Sequence, residues 1–374
     1  RSLPPEARNS QGIPPVNKFA FIIHPIDPKR DVSRKFPLLG KIFTPAQINY
    51  LCRFFPPVFL STVTGISSAA SGEQVEGFLI ACPLTAARML ELPVRTAYQK
   101  IIQTGRLAER LGADILGLGA FTSVVGDGGL TVAEALDIPV TTGDAYTISV
   151  AVQALRAAAR ALHIDMQNAA AAVVGATGAI GQVCAQLLAQ DTDSLYLLGR
   201  HPARLEALRT RLGPGSNARL VTGTDLSVLA KAQLIITVSS AGHALVEPGH
   251  LSPGSVICDV ARPRDVSAKV AAVREDVLVI DGGMVDVPGQ ANFNFDFGLP
   301  AGKAYACMAE TIALALEGRL EDYTVGKNIQ REQVDEITAI CDRHGFRLSG
   351  FRSFEKPVTT EQINQVRQHA ARRG

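Results

Sequence analysis

The stretch Ala169-Ala-Ala-Ala-Val-Val-Gly-Ala-Thr-Gly-Ala-Ile-Gly-Gln182 constrains the fold of this chain more than any other. An apolar run too short for a helix ends at Val174, and Gly175, Gly178 and Gly181 follow three residues apart before a second apolar segment, 183–188. That order reads as strand, tight turn and helix. The first glycine takes a backbone conformation closed to residues carrying a Cβ, the second lets a phosphate approach the main chain, and the third lets the helix sit close on its strand. Free N–H groups at the helix start then face a diphosphate, with Ala176, Thr177, Ala179 and Ile180 completing the turn. The alternative is a turn that serves packing alone.

About twenty residues on, where a dinucleotide-binding unit ends its second strand over the adenine ribose, the chain reads Leu195-Tyr-Leu-Leu-Gly-Arg-His-Pro-Ala-Arg204. No carboxylate stands there to hold a free 2′-hydroxyl. Arg200 and Arg204 are placed to receive a 2′-phosphate, so the expected cofactor is NADPH. Short apolar runs at 219–222, 234–238, 256–260 and 277–281 continue the alternation of strands and connections. Small or polar residues follow the last three, and ligands bind at such strand ends in open parallel sheets. Ser239 and Ser240 are therefore expected at the cofactor, and Gly282 and Gly283 beside the nicotinamide.

The length, 374 residues, exceeds one ordinary core, and 47% hydrophobic residues suffice for two. The expected fold class is α/β in two domains: an N-terminal α/β substrate domain and a Rossmann-type doubly wound parallel sheet, with C-terminal helices. Residues 1–16 read as a flexible leader, 17–150 as the substrate and catalytic domain, 168–290 as the NADP-binding domain, and 300–374 as a helical segment packing back over the cleft. A net charge of +2 argues against a nucleic-acid partner, and the basic residues 367–373 read as a solvated helix end. Six widely spaced cysteines suggest neither disulfides nor zinc, so no metal and a reducing cytoplasm are expected.

In the N-terminal part, 18–23 reads as a strand ending at His24, followed by a proline-punctuated stretch to Pro57, strands over 62–66 and 74–81, and helical spacing over 84–111. A strand at 113–118 enters the glycine-rich loop 119–129, and Thr141-Thr-Gly-Asp-Ala-Tyr-Thr147 precedes an alanine-rich helix, 148–162. The polar groups of these loops, among them Thr122, Ser123, Thr142, Asp144 and Thr147, either face a ligand or close the loops and cap the helix. His24 has the same two readings. Cys307 lies in the first turns of a helix that stops at Gly318. A thiol there has its pKa lowered by the unpaired N–H groups and becomes a nucleophile, or else it is a small core residue.

Taken in order, Leu118-Gly-Ala-Phe-Thr-Ser123, Thr141-Thr-Gly143, Val173-Val-Gly-Ala-Thr-Gly-Ala-Ile-Gly181, Ala304-Tyr-Ala-Cys-Met-Ala-Glu310, Leu316-Glu-Gly318 and His344-Gly-Phe346 resemble the long-chain fatty acyl-(acyl-carrier-protein) reductases, over roughly residues 75–346. The resemblance implies NADPH-dependent reduction of an acyl thioester, carried by acyl carrier protein or coenzyme A, to a fatty aldehyde through an acylated cysteine, Cys307. It departs at Asp144 and Tyr146, where the family pattern implies asparagine and histidine. Backbone N–H groups near Cys307, or the hydroxyls of Ser123, Thr142 or Tyr146, would hold the oxyanion, and Tyr146 is the candidate proton donor. An apolar product leaves peripheral membrane contact open, and the oligomeric state stays open too. Two other readings remain: a shikimate- or amino-acid-type NADP dehydrogenase, and a non-catalytic NADP(H)-binding regulator.

Overall fold

The computed structural model describes residues 16–372. The expected leader falls outside them apart from Val16, and the basic end is described as far as Arg372. Among the described residues no helix is long and apolar enough to cross a membrane.

Two six-stranded sheets carry the chain. The first contains β1 (Lys18–Ile23), β2 (Val58–Ser67), β3 (Gln74–Ala81), β4 (Ile115–Leu118) and β5 (Val140–Thr141). The second is built from β6 (Ala170–Val174), β7 (Ser194–Leu198), β8 (Arg219–Gly223), β9 (Leu234–Thr237), β10 (Val256–Asp259) and β11 (Leu278–Asp281). Its order is β11-β10-β9-β6-β7-β8, every pair parallel. That is the doubly wound arrangement whose order reverses beside the strand that precedes the glycine turn. β6, β7, β9, β10 and β11 read as apolar runs because both of their faces are covered, whereas the edge strand β8 has no buried residue.

The chain then turns back through the short strand β12 (Met284–Asp286) to β13 (Gly289–Asn292), which pairs antiparallel with β2 and completes the first sheet, in the order β13-β2-β3-β1-β4-β5. The N-terminal sheet is thus finished by residues near 290, well past the sequence-based boundary at 150. β14 (Lys303–Tyr305) pairs with β12 and leads into the Cys307 helix.

Between Ile23 and β2 the proline-punctuated stretch forms three short helices, α1 (Pro28–Lys35), α2 (Pro37–Ile42) and α3 (Pro45–Leu51). Each begins on a proline, whose fixed φ suits a first helical position where no donor is required. The spacing over 84–111 resolves into two helices, Ala86–Glu91 and Val94–Arg110, with Pro93 as N-cap of the second.

The alanine-rich helix α4 spans Asp144–Ala161, and its small side chains are buried between the two sheets. Helix α5 (Ala179–Asp191) packs on it from the second sheet. Helix α6 (Ala306–Glu317) packs on it from the first sheet, against β1, β3 and β4. One hydrophobic cluster therefore runs continuously from Phe19 and Phe21 through α4 to Ala171 and Val173. Helix α7 (Arg331–His344) covers α4 and α6, and α8 (Thr360–Ala371) reaches β11 of the second sheet.

Candidate active site

The glycine turn takes the conformation its sequence requires. Gly175 has φ +85°, and a Cβ there would sit 3.0 Å from the Ser239 backbone. A Cβ on Gly181 would run into the Gly175 carbonyl. A Cβ on Gly178 would press on the Gly175 oxygen, at 3.3 Å, and meet no other atom within 4 Å. Gly178 is the N-cap of α5 and brings no capping side chain, so N–H groups of the first turn are left for a ligand. They face a cleft of about 1280 Å³. These features fit the diphosphate of a dinucleotide. Ala176 lies beneath the turn, wholly buried, whereas Thr177, Ala179 and Ile180 line the cleft.

Arg200 and Arg204 lie exposed on the cleft rim beyond β7, and among the described residues neither guanidinium has an ion-pair or hydrogen-bond partner. A charge-assisted contact to a 2′-phosphate contributes roughly 1.5–3 kcal/mol. Arg200→Ala is therefore expected to narrow the preference for NADPH over NADH by about tenfold or more, read from dissociation constants for both nucleotides.

At the next strand ends, Ser239 is held by Asp265, whose carboxylate accepts its backbone N–H at 2.8 Å and its hydroxyl proton. Burial pushes Asp265 up to about 6. Ser239 can thus shape the cleft while its hydroxyl proton is engaged; Ser240 is exposed in the cleft wall. Gly282 and Gly283 also line the cleft. The Gly283 carbonyl accepts the N–H of Ala306 at 2.6 Å, which ties the sheet end to the start of α6 and puts Cys307 one residue away.

Cys307 occupies the second position of α6 and keeps an edge open to the cleft. One turn deeper, the buried carboxylate of Glu310 accepts the hydroxyls of Thr141 and Thr324 and the N–H of Tyr146, the last at 2.8 Å. Gly143, the N-cap of α4, has no side chain to satisfy that helix start, and Glu310 does so from another helix. Glu310 had no role readable from its sequence context alone. The signal was a carboxylate amid apolar residues in the middle of the helix, three residues after Cys307, which has to be buried and paired. Gly143 itself has φ +76°, and a Cβ there would overlap the Cys307 backbone. Gly143→Ala is expected to push α4 and α6 apart and to lower the melting temperature, read by thermal unfolding.

Asp144 opens α4 beside Cys307 and borders the cleft. Burial, and then the nearby Glu310, push its carboxyl up to about 8. Burial likewise pushes the Cys307 thiol up to about 12, with Asp144 adding to the rise and the Met308 N–H opposing it. This corrects the expectation of a lowered thiol pKa. The helix terminus does favour the thiolate, but lost hydration and two carboxyl groups outweigh it.

Three further expectations need correction. Tyr146 is buried, with its ring edge-on to Phe346 at 6.4 Å and its hydroxyl bonded to Cys341 away from the cleft, so it has no path to give a proton. The Ser123 hydroxyl donates to the Ala120 carbonyl at 2.8 Å, and that of Thr142 to the Thr324 carbonyl at 2.8 Å. Both line the cleft with their protons already given to the backbone, which removes them as oxyanion donors. His24 also closes a loop: its Nε2 accepts the Phe121 N–H at 3.1 Å while Nδ1 faces the Pro25 carbonyl, and burial lowers it to about 4, leaving it neutral.

A doubly wound sheet whose glycine turn opens on a cleft shared with a second α/β domain is the architecture of proteins that bind a nicotinamide dinucleotide, and this protein is one of them. In sequence it is 32% identical over 364 residues to aminotransferase PigE of Serratia sp., covering 94% of this chain and 42% of that protein's length. It is 30% identical over 307 residues to the long-chain acyl-[acyl-carrier-protein] reductase of Synechococcus elongatus, covering 78% of this chain and 87% of that one. The chain belongs to the long-chain acyl-(acyl-carrier-protein) reductase family. Residues 156–281, most of them in the second sheet and its connections, also match the shikimate / quinate 5-dehydrogenase family. Among solved structures, L-tryptophan dehydrogenase from Nostoc punctiforme aligns with a TM-score of 0.40 and 12% identity, over 96% of this chain and 88% of that one.

Proposed function

We propose that the protein reduces an acyl thioester, carried by acyl carrier protein or coenzyme A, to the aldehyde, with NADPH as reductant and the acyl group held on Cys307. The observation that carries this reading is the meeting of Cys307 with the dinucleotide cradle: both open on one cleft, and Ala306 links the thiol to Gly283 at the end of the parallel sheet. The sulfur of Cys307 bonds to the thioester carbon, the bond to the carrier sulfur breaks, and the thiol proton ends on the departing carrier thiol. Asp144, protonated at neutral pH beside Cys307, is placed to relay that proton. The bound dinucleotide supplies a hydride to the acyl carbon. N–H groups in the first turn of α6 stabilise the resulting oxyanion, whose collapse frees the aldehyde and releases Cys307 as a thiolate, which regains its proton from solvent.

Intact-mass measurement after incubation with acyl thioesters, without NADPH, tests this reading. The expected result is a single acyl adduct that is absent in Cys307→Ala; wild-type protein that forms no adduct with any acyl length would overturn it. A shikimate-type dehydrogenase would use the same cradle, but its chemistry gives Cys307 nothing to do.

A further inference from the structure

Helices α2 and α3 expose large apolar side chains on the side turned away from the cleft. Leu38 is 71% exposed and Ile42 70%, and at i,i+4 on α2 they share one helical face. Tyr50 on α3 is 55% exposed and Phe54, just past it, 65%, with their rings edge-on at 6.2 Å. None of these four lines the cleft, whereas Leu39 and Leu51 of the same helices do. Single exposed apolar side chains are ordinary, but a group of this size on one short stretch of chain marks a surface that is covered in use.

The same stretch is basic. Residues 27–55 hold six lysines and arginines and two aspartates, a net charge of +4 against +2 for the whole chain, so the rest of the molecule is net acidic. Lys41 is exposed beside Ile42, and among the described residues its ammonium has no ion-pair or hydrogen-bond partner. Arg53 lies over the rings of Tyr50 and Phe54, at 4.4 and 4.6 Å, and its buried Nε has no hydrogen-bond partner among the described residues. Its charge is thus held at the surface by aromatic faces and not by an acidic side chain.

We infer that this face docks the protein on an anionic lipid surface, with Leu38, Ile42 and Phe54 entering the interfacial layer and Lys41 and Arg53 meeting the headgroup phosphates. The inference does not rest on the thioester reading above. Interfacial binding draws on apolar area and on attraction to anionic lipid together, and both are present here. Aromatic rings and cations side by side suit the headgroup level of a bilayer. A second copy of the chain fits less well, because an isologous contact would set one +4 stretch against another. An acidic protein would need a pocket shaped to each protruding side chain, whereas the bilayer interface takes them in without one.

The sequence contains no tryptophan, so Phe54→Trp gives the protein a single indole, placed in the face itself. With vesicles of phosphatidylcholine and phosphatidylglycerol its emission is expected to shift to the blue, and with phosphatidylcholine alone to shift little. Co-sedimentation of the wild-type protein should be roughly tenfold tighter with the anionic vesicles than with the zwitterionic ones, and should weaken as salt is raised. Leu38→Asp combined with Ile42→Asp, and separately Lys41→Glu, should each lower the affinity for anionic vesicles about tenfold or more, with NADPH affinity unchanged as the control for folding. Wild-type protein that stays in solution with anionic vesicles would overturn the inference. So would vesicle binding that is indifferent to these substitutions or that leaves the indole at its aqueous emission. A dimer that the Leu38→Asp, Ile42→Asp variant splits, read by light scattering in a protein that ignores vesicles, would assign the face to a second copy and overturn the inference. Binding of an acidic carrier protein that the same variant abolishes, again without vesicle binding, would assign it to a protein partner with the same consequence.

Discussion

Cys307→Ser is expected to lower acyl-thioester turnover by roughly 10³-fold or more while leaving NADPH affinity unchanged. A serine hydroxyl in this position has no base to activate it: Asp144, raised to about 8, is itself protonated at neutral pH, and His24 is engaged with the Phe121 N–H and the Pro25 carbonyl. The cofactor cradle is built from 175–181 and does not depend on the thiol, so nucleotide binding serves as the control for folding. The resting thiol is also expected to be slow toward iodoacetamide near pH 7. A thiol at about 12 is ionised there to roughly one part in 10⁵, and the rate should climb about tenfold per pH unit. Serine protein with near-wild-type turnover would remove Cys307 from the reaction.

How much of this was readable in advance depended on whether the signal was local. The glycine turn and the parallel strands beside it could be placed because both faces of that sheet are covered, which writes its strands, the edge strand β8 apart, as apolar runs between turns. β13 was hidden, since Gly-Gln-Ala-Asn is neither apolar nor alternating and its pairing with β2 is made by tertiary contact. Helices α1 to α3 were hidden for a different reason. The proline-punctuated stretch to Pro57 carries no element in the sequence reading, whereas Pro28, Pro37 and Pro45 each open a helix, two of them behind the side-chain caps Asp27 and Thr44. At the site, the position of Cys307 near a helix start was local and legible. Its acidity was not, because the thiol is buried, and Asp144 reaches it, only once α4 and α6 pack together.

Asp144→Asn is expected to stabilise the protein in a pH-dependent way. A carboxyl raised from the ordinary 3.8 to about 8 keeps a proton in the native state that the unfolded chain has already released. Between those pH values the unfolded state binds fewer protons than the native state, so stability falls as pH rises. The stability this group costs is absent below about pH 4 and complete above about pH 8, with an upper limit of roughly 6 kcal/mol. Asparagine keeps the shape and cannot ionise. Its melting temperature should match wild type near pH 4 and exceed it increasingly toward pH 8. Glu310, raised in the same direction, remains in the variant and leaves part of the alkaline loss in place. The thiol supplies a second readout that packing alone would not move. With the Asp144 charge gone, Cys307 is raised less, so alkylation above pH 8 should be faster in Asp144→Asn than in wild type. Equal melting temperatures across the range, together with an unchanged alkylation profile, would show that Asp144 is ionised and solvated in the native protein and would take it out of the proton path to Cys307.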